Sequence, residues 1–341
     1  MQYTELGSSG LTVSRLAFGS STFTSGDQSL PGFLKAGPET AAALVNQAID
    51  GGITYFDTAD VYANGQSEEL LGAALKPHRE RIVLSTKVGN YGAKHPEVER
   101  WGLSRKHILW SIDQSLRRLQ TDRVDCYIAH RVDPDTPLEE TLEALDAVLR
   151  AGKARSIGYS NWPAWLAAAA IGLQRANGWA EFSHGQMYYS LLGRDVERDT
   201  LAMMRHFGLG MSVWSPLAYG FLAGNYTAED MARDDNRFGK SDWLKFDRDK
   251  AFALLPMLRS MAAAKQCSMA QLAIAWLLAQ DSVSTVLLGA TKPHQLANNL
   301  GASDVSFDAG ELAAIDVATA HAPIYPSSNW VESMLPKRKK T

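Results

Sequence analysis

The sequence predicts an α/β chain folded as a single (β/α)8 TIM barrel, with an N-terminal hairpin and long loops at the C-terminal rim. Two observations predict it. Eight short apolar runs alternate with stretches of helical periodicity along the 341 residues, a pattern that favours a closed barrel over an open doubly wound sheet. The second is where the chemically capable residues fall: Asp57 in YFDTAD, Tyr62 in VYANG, Lys87 in LSTKVG and His130 in YIAHRVD sit at or just beyond the ends of apolar runs. Closure of parallel strands brings all four to one rim, the layout of a catalytic site.

The opening TELGSSGLTVS reads as a short hairpin with Gly-rich turn chemistry. The apolar runs at residues 16–19, 53–57, 82–87, 124–130, 154–159, 182–186, 210–214 and 285–288 read as strands. Between them the helices carry clear punctuation. In TPLEETLEALDAVLRAGK, Thr136 is the expected N-cap, Pro137 the first helical position, Glu139 the capping-box partner and Gly152 the stop. Leu138, Leu142, Leu145 and Leu149 recur there at helical spacing. SRKHILWSIDQSLRRLQ repeats the logic, with Ser104 as cap and Ile108, Ile112, Leu116 and Leu119 on one face. These stripes are core, not function. Residues 25–37 and 223–249, rich in Gly, Asp, Asn and Lys, break the rhythm; such insertions fall on the loops after strands, and either is a candidate lid. Without a repeat, a low-complexity segment or a linker, one domain over 1–341 is expected, with 331–341 a mobile basic tail.

A hydrophobic share of 45%, a charged share of 21% and a formal net charge of -3 are ordinary for a soluble globular protein and give no bulk attraction to nucleic acid or anionic lipid. Neither nucleic acid nor membrane is an expected partner. Cys126 and Cys267, far apart in apolar contexts, read as free thiols in a reducing compartment, with a disulfide as the minor alternative. The N-terminus lacks a signal-peptide pattern and no run of about 18 apolar residues occurs, so a cytoplasmic location is expected. No metal is expected, because the eight His never fall in a ligand spacing. GYSNW is not the G-x-S-x-G of a nucleophilic serine. Oligomeric state is left open.

A phenol with an ordinary pKa of about 10 is a poor proton donor near neutrality unless something lowers it. Lys87 is the expected agent, with Asp57 holding the ammonium charged and in place. His130 can donate a hydrogen bond to a substrate oxygen and stabilise charge that builds there. Together these groups suit protonation of an alkoxide as it forms, hence carbonyl reduction with the hydride supplied by a cofactor. Each residue alone reads as well as a solvated strand end or ordinary packing; the set carries the reading. A hydrolase would need a second carboxylate at a facing strand end, whereas Asp125 lies inside its strand and Asp133 beyond His130.

YFDTADVYANGQSEELLG, LSTKVG, RVDCYIAHRVDPDTPLEETLEALDAVLRAGKARSIGYSN, YYSLLGRDVERDTL, WSPLAYGFLAGNY and LLGATKPHQLANNLGA together resemble the aldo-keto reductase family, in its order, from about Leu6 to Asp316. Within it the chain is similar to bacterial reductases related to the β-subunits of potassium channels. The resemblance implies Tyr62 as general acid/base, Lys87 and Asp57 as its tuners and His130 as the group that orients the carbonyl. The family has no Rossmann fold, and no G-x-G-x-x-G follows a strand here.

Read from its residues alone, the turn from Gly289 to a helix opening near Pro293 is either a phosphate site or an ordinary strand-to-helix turn with a surface lysine. The resemblance implies that Thr291, Lys292, Gln295 and Asn299 grip the adenosine 2'-phosphate and adenine, with Asn298 standing where many relatives have Glu. It also implies that Trp214 stacks on the nicotinamide and that Ser215, Leu217 and Gly220 contact the pyrophosphate, with Asn225 in place of the usual Lys and Arg237 as a substitute charge. Ser160, Asn161 and Gln186 resemble the trio that holds the carboxamide, while Gly19, Ser20, Asp57 and Gly289 fall beside the cofactor. Lys292 next to Thr291, with no acidic residue in the turn, favours NADPH over NADH. The expected partner is a small carbonyl or alcohol substrate. Phe23, Tyr91, Trp162 and Tyr189 either line an apolar pocket or pack the rim, and Arg131 either meets an anionic substrate or faces solvent. An alternative function is an NADPH-binding regulatory or redox-sensing subunit with little turnover.

Overall fold

The computed structural model describes residues 1–26, 35–90, 102–233 and 244–321. β1 (Tyr3–Glu5) and β2 (Thr12–Ser14) form the antiparallel hairpin, with Thr4 opposite Val13. The eight strands that follow are β3 (Leu16–Gly19), β4 (Tyr55–Asp57), β5 (Val83–Val88), β6 (Val124–Ala129), β7 (Ala154–Ser160), β8 (His184–Tyr188), β9 (Gly210–Trp214) and β10 (Thr285–Leu288). They pair in parallel in chain order, and β10 returns to β3 to close the barrel. Strands buried on both faces by the interior and by an outer helical layer need near-continuous apolar runs, which is why they read so clearly.

Local chemistry explains most boundaries. Ser104 caps helix Arg105–Leu119 by accepting from the His107 amide at 3.3 Å, as expected, and Ile108, Ile112 and Leu119 are buried. Helix Leu138–Arg150 differs from expectation. Its N-cap is Pro137, without a side-chain bond, because the Thr136 hydroxyl instead donates to Asp133 Oδ2 at 2.7 Å. Gly152, at φ +71°, ends that helix as foreseen. β8 begins two residues later than its apolar run suggests, since Phe182 belongs to an aromatic layer against Tyr159 and Trp162, with ring centroids 5.4 and 5.5 Å away. β8 then runs on until Tyr188 pairs with Trp214.

The hairpin determines which end of the barrel is open. Leu6, Leu11 and Val13 pack with the barrel-lining Ala17, Tyr55, Cys126 and Leu287, so the end at which the strands begin is plugged. Both cysteines are free thiols, Cys126 fully buried among these residues. Among the described residues no helix is long and apolar enough to cross a membrane. Residues 27–34 and 234–243 of the two long insertions lie outside the described residues, as do Tyr91, Arg237 and the tail 331–341.

Gly7 is the tightest point of the plug. It lies at φ +56°, and a Cβ there would collide with the Gly210 nitrogen and the Ser183 carbonyl, backbone atoms that cannot give way. Gly7→Ala should destabilise the protein by roughly 1–3 kcal/mol, read as a lower urea midpoint with little change in slope; an unchanged midpoint would mean that the plug does not tie the barrel together.

Candidate active site

The site forms where β4, β5, β6 and β8 end. Along β4 and β5 alternate residues point into the barrel, so Asp57, Ser85 and Lys87 meet across the strands. Lys87 Nζ, fully buried, donates to Asp57 Oδ2 at 2.6 Å, to the Thr58 carbonyl at 2.6 Å and to the Tyr62 hydroxyl at 3.3 Å. Asp57 Oδ1 accepts from Ser85 Oγ at 2.6 Å and from Gln186 Nε2 at 2.9 Å, so both oxygens are committed. Tyr62 opens the single turn Tyr62–Gly65, and the left-handed Ala63 and Asn64 behind it swing the chain into helix Gln66–Leu75. His130 stands edge-on to Tyr62, with ring centroids 5.9 Å apart and planes at 82°. Its backbone amide donates to the Val88 carbonyl at 2.8 Å, and its Nδ1 is buried without a hydrogen-bond partner.

Burial alone would push the Lys87 ammonium towards neutrality, but the Asp57 carboxylate and Tyr62 more than offset it, and its pKa is raised. Tyr62 goes against the simple expectation. Burial raises its pKa, Lys87 pulls it down, Asp57 and Asp60 push it up again, and the net direction is upward. Lys87 therefore moderates the phenol without lowering it below its ordinary value. His130 lies well below the ordinary imidazole range, through burial first and then the charges of Lys87 and Arg131, so it is neutral near pH 7.

A cleft of about 2030 Å³ runs from these residues across the rim to helix Pro293–Leu300. Among the described residues no group of three or more His, Cys, Asp or Glu could hold a metal ion. The sequence model of the Aldo/keto reductase family matches residues 15–320.

The chain belongs to the aldo/keto reductase family.

Similar relatives include two proteins named "Probable voltage-gated potassium channel subunit beta". The one from Oryza sativa subsp. japonica is 37% identical over 89% of this chain and 92% of its own length. The one from Arabidopsis thaliana is 36% identical over the same shares. A "Versiconal hemiacetal acetate reductase" from Aspergillus parasiticus is 35% identical over 83% of this chain and 87% of its own length.

In this aldo/keto reductase, Gly19, Asp57, Tyr62, His130, Ser160, Asn161, Gln186, Trp214, Ser215, Leu217, Gly220, Gly289, Thr291, Gln295 and Asn299 line the cleft, together with Arg131, Asn225 and Asn298. Lys87 lies beneath it and reaches it through Tyr62. Ser160, Asn161, Gln186 and Trp214 form one assembly. Ser160 Oγ donates to the Gln186 carbonyl at 2.8 Å, Asn161 Nδ2 to Ser160 Oγ at 2.8 Å and to the His130 carbonyl at 3.3 Å, and Trp214 Nε1 to Asn161 Oδ1 at 3.0 Å. Tyr188 packs on the Trp214 ring at 5.2 Å. At the far end Gln295 Oε1 accepts from the Thr291 and Lys292 amides at 3.0 and 3.2 Å, and the Lys292 side chain is exposed outside the cleft.

The Ser20 side chain points away from the cleft, and the open choice at Phe23, Trp162 and Tyr189 falls to packing. Ser20 is fully buried, sharing a 2.7 Å bond with Ser67 Oγ and staple-like bonds to the Asp57 carbonyl, so its side chain ties β3 to β4 and to helix Gln66–Leu75. Phe23, Trp162 and Tyr189 are core rings rather than cleft walls: Phe23 meets Phe18 at 5.7 Å, Trp162 meets Phe182 and Tyr189 meets Trp276 at 5.2 Å. Ser85 went unnoticed although it stands two residues before Lys87 on the same strand face, a period-2 signal that could have found it. Thr22, Asn90, Tyr219, Tyr226, Ser268 and His294 also line the cleft, and no local pattern marks them, because separate loops converge there only in three dimensions.

For a lysine whose folded pKa is raised, the stabilisation is complete below its ordinary pKa and is lost as the pH rises through the folded value. Asp57→Ala leaves the buried Lys87 ammonium without its counter-charge. It should cost roughly 3–5 kcal/mol at pH 7, with the deficit shrinking at high pH as Lys87 sheds its proton. A urea midpoint that does not change would show that the pair contributes nothing to the fold.

Proposed function

We propose that the protein reduces an aldehyde or ketone to an alcohol, or runs the reverse oxidation, using NADPH, with Tyr62 as the general acid/base. The observation that carries this reading is the Tyr62 hydroxyl at the cleft wall, 3.3 Å from a lysine that is itself locked to Asp57 at 2.6 Å. With its pKa raised, Tyr62 is a phenol near neutrality and hence a donor, the form that reduction needs. As the proton leaves, the Lys87 ammonium faces the new phenolate, so the charge is stabilised in the transition state more than in the ground state. His130, neutral and with Nδ1 unbonded, is best suited by a proton on Nε2, which then donates to the substrate oxygen and fixes its approach.

The residues present fit a nicotinamide dinucleotide. The cleft, at about 2030 Å³, has room for it beside a substrate, and Trp214 offers a shelf braced by Asn161 and Tyr188. Gly289 leaves open space where a side chain would intrude. Ser160, Asn161 and Gln186 would hold the carboxamide, Ser215, Leu217 and Gly220 the pyrophosphate, and Thr291, Lys292, Gln295 and Asn299 the adenosine end. A bound reduced nicotinamide supplies the hydride; the chain's own groups orient the carbonyl and deliver the proton.

Tyr62→Phe should lower carbonyl reduction by about 100-fold or more while sparing NADPH affinity in a fluorescence titration; undiminished turnover would defeat the assignment. Lys292→Ala should raise the dissociation constant for NADPH by about tenfold and leave NADH nearly unaffected, the loss of one exposed charge-assisted contact to the 2'-phosphate. Equal effects on both cofactors would remove Lys292 from that role.

Two relatives carry channel-subunit names, which supports a second reading as an NADPH-binding regulatory or redox-sensing subunit. Tight NADPH binding with negligible cofactor oxidation across a panel of aldehydes, ketones and quinones would favour it over the reductase.

A further inference from the structure

Behind Tyr62, away from the cleft proper, lies a buried acidic cluster that the proposed chemistry does not use. Asp60 stands two residues before Tyr62 in the loop after β4. Its amide donates to the Lys87 carbonyl at 3.2 Å, so the segment carrying Tyr62 is sewn to the strand carrying Lys87 through this residue. Its Oδ2 accepts from Ser111 Oγ at 3.0 Å, and its Oδ1 is buried with no hydrogen-bond partner. Glu68 sits close by on helix Gln66–Leu75, fully buried, taking a bond from Thr86 Oγ1 at 2.5 Å and from Arg118 Nε at 2.6 Å. Arg118 is paired with Glu68 and acts on Asp60 only through its charge.

We propose that Asp60 is a positioning residue that sets the acidity of Tyr62 from behind the site: with a proton on Asp60 the phenol is a stronger acid, and with Asp60 ionised it is a weaker one. The inference rests on the reading of Tyr62 as the proton donor. The groups that act on Asp60 are Glu68 on helix Gln66–Leu75 and Ser111 and Arg118 on helix Arg105–Leu119, where His107 lies one turn before Ser111; Tyr62 on its own segment and Tyr127 on β6 feel its charge. The charge of Glu68 opposes ionisation of Asp60, while that of Arg118 favours it. Burial tips the balance. It raises the Asp60 pKa to about 7, with Glu68 adding to the rise and Ser111 and Arg118 opposing it. Asp60 in turn acts on Tyr62, its negative charge strengthening the phenol's hold on the proton.

An acid whose folded pKa is raised stays protonated to higher pH than in the unfolded chain, so below about 7 Asp60 is neutral and Tyr62 donates more readily. Above it Tyr62 is still a phenol but a weaker acid. Carbonyl reduction should therefore show a falling step near neutrality, well before Tyr62 itself ionises. A one-unit change in donor pKa alters a general-acid step by about threefold.

The test is the pH profile of kcat for reduction by the full-length enzyme with NADPH, paired with carbon-13 NMR of ring-labelled tyrosine, in which Tyr62→Phe identifies the Tyr62 signal. Asp60→Asn should abolish the step near neutrality and move the Tyr62 titration midpoint down by roughly one unit, while Asp60→Glu should keep a step. Ser111→Ala removes the donor that favours ionised Asp60, so its step should move to higher pH; this variant also decides the matter should Asp60→Asn fail to fold. An unchanged step in either Asp60→Asn or Ser111→Ala, or an unmoved Tyr62 midpoint in Asp60→Asn, overturns the proposal. The NMR midpoint is read without turnover, so it reports the coupling even if Tyr62→Phe were to show that the phenol is not the catalytic acid.

Discussion

A lysine ammonium fully shielded from water persists only with a compensating charge in contact, and in this protein everything near the cleft is arranged around that need. Asp57 meets Lys87 at 2.6 Å, and its other oxygen is saturated by Ser85 and Gln186, so β4, β5 and β8 are drawn to one point inside the barrel. The third Lys87 donor direction goes to the Thr58 carbonyl, which fixes the loop that carries Tyr62. The cation is thus both a structural clasp and a source of electrostatic potential aimed at a phenol. Neither role is separable from the other, because weakening the clasp also moves the charge.

The rim above this clasp holds backbone in conformations that side chains resist. Asn161, Ser215, Ala218 and Tyr219 all lie at positive φ, between 44° and 60°, and Asn161, Ser215 and Tyr219 line the cleft. Left-handed backbone at non-glycine positions costs of the order of 1–3 kcal/mol each. Asn161 shows what offsets it. Its side chain bonds the His130 carbonyl, Ser160 and the Trp214 indole, so one strained residue orients three elements of the site. A rigid closed barrel, plugged at the opposite end by the hairpin, is what lets such loops hold their geometry.

The two faces of Tyr62 see different electrostatics. Lys87 favours phenolate, whereas burial, Asp57 and, behind the ring, Asp60 favour phenol. Proximity to a cation does not by itself make an acid strong when burial and nearby anions act against it. That balance is the reason Lys87 pulls the Tyr62 pKa down as expected while the net direction is upward.

What the sequence determined by itself was the barrel and its order. Eight apolar runs flanked by amphipathic helices admit few closed solutions, and parallel closure places every strand's C-terminal end at one rim, so Asp57, Tyr62, Lys87 and His130 could be assembled without coordinates. Helix caps such as Ser104 and stops such as Gly152 were equally legible, since they depend on neighbours a few residues away. The tertiary structure alone decided the rest. Thr136 gives up its cap for Asp133, Ser20 turns inward to Ser67, and Phe23, Trp162 and Tyr189 join the core, because each choice is made by a partner from a distant or differently folded segment. The Asp60, Glu68 and Arg118 cluster spans 58 residues between Asp60 and Arg118 and has no sequence period at all. Periodic burial is written into local sequence by the repeat of helix and strand; hydrogen-bond partners and charge balance are not, for they depend on distances that exist only after the barrel has closed.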